Sequence, residues 1–289
     1  MAPEPQLPTG RSGRLAGLGL LLAAIGVPMG WAVIYSGLYS LGGIGLLSDG
    51  WTLRHWKAAV VTGGLTESLL FSPAVAATVT LLATTAALGV TLLAPQLRSD
   101  RVALSLALLL LATPSAVMSL MAFQILSPGG GIARVAFHAG LIASPTQFPV
   151  LVNDPYAIGI IVTQFCGSFP LLVLFFLKAW STARADAYCR LAESLGATVA
   201  QARLRVALPL LLRHGRPLIL LSFLFNLGSY EVPLLLGRQS PQMFSVLTQR
   251  RFGQFDLSMR PQAFALAVSY FVLVAIGLHI YLGLRRRRV

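Results

Sequence analysis

Six apolar runs, at residues 15–38, 68–94, 102–126, 156–177, 217–236 and 263–284, constrain this chain more than any other feature. Each is long enough for the roughly 20 residues of helix that cross a bilayer. Hydrocarbon offers no partner to an exposed peptide group, so a run of this kind crosses as a self-bonded helix. The pattern predicts an all-α membrane protein with six transmembrane helices. Composition agrees, since 56% of the 289 residues are hydrophobic and only 11% are charged, far outside the range of a soluble domain. Arg11 and Arg14 precede the first run as they would precede a signal peptide. That run is too long for one, however, and no small-x-small cleavage site follows it, so it is read as a span behind an N-terminal tail at 1–14.

The formal net charge of +13 does not point to nucleic acid, because the arginines flank the spans instead of interleaving with aromatic residues. They report topology. With six spans, fifteen Lys and Arg fall on one side (Arg11, Arg14, Arg98, Arg101, Lys178, Arg184, Arg190, Arg203, Arg205, Arg213, Arg216, Arg285, Arg286, Arg287, Arg288) and seven on the other (Arg54, Lys57, Arg134, Arg238, Arg250, Arg251, Arg260). The positive-inside rule places both termini and the loop around Arg190 in the cytoplasm. No catalytic constellation is visible. Cys166 and Cys189 are neither a C-x-x-C pair nor a metal site, and His55, His138, His214 and His279 lack ligand spacing. The two lysines, Lys57 and Lys178, do not follow a glycine as the phosphate-cradling G-x-x-x-x-G-K-[ST] requires. The chain is therefore read as no enzyme, with no cofactor of its own.

On the less basic side, Trp51, His55 and Trp56 mark a stretch suited to the membrane interface, and residues 132–142 suit a short helix after Gly129, Gly130 and Gly131. Pro28, Pro114 and Pro170 are expected to bend the first, third and fourth spans. Gln164, Thr163, Asn226 and Ser229 are polar at depth, where they either face a pathway or satisfy neighbouring helices. Tyr230 and Glu231 follow in GSYEVPLLLG at the outer end of the fifth run. An ionisable residue there is either functional or paired, with Arg238 or Arg260 as the partner.

Residues 187–217, AYCRLAESLGATVAQARLRVALPLLLRHGRP, form a long polar, arginine-rich interval before the fifth run. Ala192, Leu195, Gly196 and Val199 recur at helical offsets on one face, with Arg190, Glu193 and Arg203 elsewhere. A short amphipathic helix across a surface is predicted. Arg190 and Glu193, three apart, are expected to pair. The order Ala192, Gly196, Ala197, Gln201, Val206, Leu208, Pro209 resembles the EAA loop of permease subunits of type I, binding-protein-dependent ABC importers. The spacing from Gly196 to Pro209 fits without gaps, while Arg190 stands at the family's glutamate, Leu191 at its first alanine and Arg203 at its usual aromatic.

That resemblance implies a single transmembrane permease domain, 1–289, with its core at 68–284 and a cytoplasmic coupling helix in the loop 187–217 between spans four and five. It also implies a bacterial inner-membrane location and three kinds of partner: an ATP-binding ABC subunit dimer that carries ATP and Mg, a second, different permease chain, and an extracytoplasmic solute-binding protein. Arg190, Ala192, Glu193, Gly196, Ala197, Gln201, Leu208 and Pro209 would couple the ATPase to the path. Gln164, Asn226, Tyr230 and Glu231 are the candidate path residues. GSYEVPLLLG is similar to the spermidine/putrescine branch, which implies a polyamine solute; relatives moving ferric iron, thiamine or phosphonates share the architecture. The rival class, a secondary transporter, more often shows ten or more spans and midplane ion sites.

Overall fold

A computed structural model describes residues 11–45, 50–61, 64–98 and 100–286. Most of the predicted tail and two of the counted arginines, Arg287 and Arg288, lie outside the described residues. Those residues form thirteen α-helices and no strand. In chain order they are α1 (Arg11–Ser40), α2 (Arg54–Val61), α3 (Leu65–Leu93), α4 (Arg101–Ala112), α5 (Ser115–Leu126), α6 (Gly131–His138), α7 (Ile158–Thr182), α8 (Ala185–Ser194), α9 (Val199–Ala202), α10 (Leu208–Gly228), α11 (Glu231–Leu236), α12 (Phe244–Phe252) and α13 (Arg260–Arg286). Six stretches are long and apolar enough to cross a membrane: Gly17–Ser40, Leu65–Leu93, Ser115–His138, Ile158–Thr182, Val199–Gly228 and Leu257–His279. The protein is an all-α, multi-pass membrane protein.

Two of the expected spans are divided differently. The run at 102–126 is not one bent helix but α4 and α5, separated at Thr113 and Pro114. Pro114 has no N–H to give and holds Thr113 extended, at φ −76° and ψ 122°, so the helix stops and restarts. The run at 217–236 is likewise not one helix. Its helix starts earlier, at Leu208, and ends at Gly228, and after Ser229 and Tyr230 the short α11 begins at Glu231. Pro28 and Pro170, by contrast, lie inside uninterrupted helices. The helix expected after the three glycines is present as α6.

The chain divides into two compact units. In the smaller, built from the described residues before 64 and after 247, α13 packs against α1 and α2. There the Trp56 indole donates to Ser40 Oγ at 3.3 Å, and Tyr35, Tyr39, Phe252 and Phe264 form a ring cluster.

In the larger unit, Gly64–Leu247, α3 packs along α7 and α10. Ala76, Val79, Ala83 and Ala87 of α3 are fully buried at three- and four-residue intervals, and small side chains there let helices approach closely. One apolar cluster gathers Phe176, Leu172, Trp180 and Leu211; a second gathers Val79, Ile160, Leu236 and Met243. Asp154 fixes the start of α7 by accepting from the backbone N–H of Tyr156 and Ile158 at 2.9 and 3.0 Å.

Gly215 of α10 marks a close approach to α7, since a Cβ there would stand 2.5 Å from the fully buried Phe176 ring. Gly215→Ala is expected to cost about 1–3 kcal/mol by overpacking. Gly89→Ala, where a Cβ meets nothing within 4 Å, is expected to be neutral or mildly stabilising. Thermal unfolding of both variants in detergent, side by side, checks the contrast.

Candidate functional site

A polar layer lies between the two apolar clusters of the larger unit. On α3 it is Thr80, on α7 Gln164 and Ser168, and on α10 Asn226, all buried. Ser168 Oγ donates to Asn226 Oδ1 at 3.0 Å, Asn226 Nδ2 donates to Thr80 Oγ1 at 3.4 Å, and Gln164 Nε2 donates to the Asn226 carbonyl at 3.4 Å. Asn226 thus ties three helices at one level. The layer is not fully satisfied: Gln164 Oε1 and Ser222 Oγ are buried without a hydrogen-bond partner among the described residues. Such atoms are costly in an apolar interior, which makes them the natural receivers of a polar ligand or water.

These groups border a cavity of about 340 Å³. Gln164, Ser168, Ser222 and Asn226 supply its polar wall, and Leu110, Leu171, Leu221 and Phe225 its apolar one. Thr113, Ser115 and Ser229, which flank the two helix breaks, also line it. The breaks are linked, because the Ser115 hydroxyl donates to the Glu231 carboxylate. Glu231 thus meets a hydroxyl at the start of α5; of the two arginines considered as its partner, Arg238 makes no ion pair with it among the described residues and Arg260 belongs to the other unit. Of the four path residues read from the sequence, Gln164 and Asn226 line the cavity, Glu231 reaches its rim through Ser115, and Tyr230 does not line it. Thr163 lines it while donating to Gly159 O at 2.8 Å.

Ser168, Ser222 and Ser115 escaped the sequence reading. Ser168 follows Gln164, and Ser222 precedes Asn226, by four residues, the spacing that sets two side chains on one helix face.

At the other end of the unit, α8 and α9 form a tight corner. Gly196 closes α8 with φ +93°, Gly196 N–H bonds to Glu193 O at 3.0 Å, and Ala197 N–H bonds to Ala192 O at 3.0 Å. This paired closure consumes the last free carbonyls of the helix and needs the left-handed residue that glycine supplies. Thr198 then starts α9 with a reciprocal cap: Gln201 N–H donates to Thr198 Oγ1 at 3.3 Å, and Thr198 N–H donates to Gln201 Oε1 at 3.0 Å. A π turn at Arg203–Ala207 carries the chain into Leu208 and Pro209, and the helix runs on past Pro209, which gives no N–H to the turn before it. Residues 199–217 are thus helix continuous with the fifth span, not a loop before it.

The expected single face of Ala192, Leu195, Gly196 and Val199 is split. Ala192 packs partly buried against the Phe176 cluster, whereas Leu195 (81% exposed), Gly196 and Val199 face outward. The helix ends at Ser194, so Leu195 leaves its register. Tyr188 and Leu191, at the helical offset, extend the exposed apolar face. Arg190, Glu193 and Arg203 are brought together with Asp186 around a cleft of about 120 Å³. No ion pair joins Arg190 to Glu193 there among the described residues. No protein-family model matches this chain, and no curated protein matches it.

Proposed function

We propose that this chain is the transmembrane subunit of an ATP-driven solute importer, forming half of the translocation path and coupling it to a separate ATPase. One observation carries the reading. The helical stretch Val199–Gly228 runs from the capped corner at Gly196 to Asn226 in the cavity wall, so a push on the corner reaches the polar layer through continuous helix. Tyr188, Leu191 and Leu195 give the ATPase an apolar face to grip, and Leu208 and Pro209 pass its motion into the span. The path then opens to one side or the other as ATP biases two states. In this reading the protein sits in the bacterial inner membrane with both termini and the α8 corner in the cytoplasm. A solute-binding protein feeds it from outside, and a second permease chain completes the path.

Glu231 at the rim and the unpartnered Gln164 Oε1 favour a cationic, hydrogen-bond-donating solute, of which a polyamine such as spermidine or putrescine is the leading case. Uptake of labelled polyamine by vesicles holding the purified assembly is expected to require ATP on the corner side. Uptake driven by an ion gradient without ATP would contradict the reading. Within that assay, Glu231→Gln keeps an acceptor for Ser115 but loses the charge. It is expected to weaken apparent solute affinity roughly tenfold, the worth of one charge-assisted hydrogen bond.

A further inference from the structure

The smaller unit holds a cavity of about 520 Å³ that the importer reading does not use. Tyr35, Tyr39, Phe252 and Phe264 wall it, and Arg260 is the one charged residue among its described lining groups. The guanidinium lies over the Phe252 ring, 5.8 Å from its centroid, and its Nε is buried without a hydrogen-bond partner among the described residues. A buried N–H on a cation with no acceptor is a donor suited to an anionic oxygen. Asp256 is the single acid among the described residues of this unit, and it is committed elsewhere: its carboxylate accepts from Ser258 N–H at 2.9 Å, and hydrogen bonds from Ser258 hold it below the usual carboxylate range.

Depth and charge agree on the kind of anion. Arg260 lies in the first turns of the apolar stretch Leu257–His279, and Tyr35 and Tyr39 lie in the last turns of Gly17–Ser40, so the cavity stands at the level where spans leave the hydrocarbon. Arg54, Lys57, Arg250 and Arg251 belong to the same unit, beside α13 in space or in sequence. With Arg260 they make five of the seven basic residues that the topology count sets on the sparsely charged side. A basic group with aromatic walls at this depth matches a phosphate ester whose apolar remainder continues along the spans.

We propose that this cavity binds a phosphate group through Arg260, supplied by an anionic phospholipid headgroup or by free phosphate. The test uses the full chain, purified in mild detergent from phosphatidylcholine vesicles doped with phosphatidylglycerol, with retained lipid counted by native mass spectrometry. Wild type is expected to retain phosphatidylglycerol, Arg260→Gln to retain roughly tenfold less after loss of a charge-assisted contact, and Arg260→Lys to keep most of it. Tyr35→Leu, which removes a wall without touching the guanidinium, is expected to weaken retention, and Arg134→Gln in the other unit to leave it unchanged. Inorganic phosphate that displaces the lipid would assign the site to the free ion, and lipid that resists displacement would assign it to the headgroup; either supports the proposal. Equal retention by wild type, Arg260→Gln and Tyr35→Leu would overturn it.

Discussion

Gly196→Trp is expected to abolish ATP-driven uptake while leaving the membrane helices folded. The corner explains both halves of that outcome. A side chain at Gly196 meets nothing within 4 Å, so bulk added there projects outward, onto the exposed face that Leu195 and Val199 share. The backbone, at φ +93°, is a second and smaller obstacle that any L residue faces, at about 1–2 kcal/mol. Gly196→Ala separates the two effects because it imposes the backbone cost without the bulk. If the face seats a partner, alanine keeps most uptake and tryptophan loses more than about tenfold, as expected of a blocked central contact. Normal uptake by Gly196→Trp would remove the corner from the coupling route.

The second large effect belongs to Asn226. Asn226→Leu removes the acceptor of Ser168 and the donor to Thr80 and places an apolar side chain in the cavity wall. The stability loss is expected to be only about 1–2 kcal/mol, because serine and threonine hydroxyls on a helix can turn back to their own backbone. Uptake is expected to fall roughly tenfold or more, since a polar solute would lose a hydrogen-bonding group where water is scarce. Thermal unfolding and uptake measured on one preparation separate the two quantities. A large drop in stability with unchanged uptake would make the polar layer a structural tie and place the path elsewhere.

The spans were legible in the sequence because hydrocarbon demands long apolar helices, and that demand leaves a continuous signal in the residues. What interrupts a helix was less legible. Pro114 reads the same whether it bends a helix, as expected here, or ends one, and the outcome depends on whether Thr113 can stay extended between α4 and α5. The gap at Ser229 and Tyr230 has no proline at all. In the corner, Gly196 and Gln201 stood out as residue types, while the partner of Gln201 is Thr198, three residues back, a capping-box spacing that the sequence carries and the reading passed over. Gln164 and Asn226 stood out as polar residues in apolar runs. Serine is common enough in membrane helices that Ser168 and Ser222 did not, although the four-residue spacing held the information. Glu231 was read as either functional or paired with an arginine; the chain brings it a hydroxyl from a helix start more than a hundred positions away, a contact no local pattern encodes.

A chain driven by another protein should be found bound to it. Mass spectrometry of what co-purifies with it from gently solubilised membranes, with wild type and Gly196→Trp handled side by side, tests that directly. The wild type is expected to bring down a P-loop ATPase and a second, different permease, and Gly196→Trp to keep the permease and lose the ATPase. Recovery of the chain alone, under conditions in which other membrane complexes survive, would contradict the importer reading.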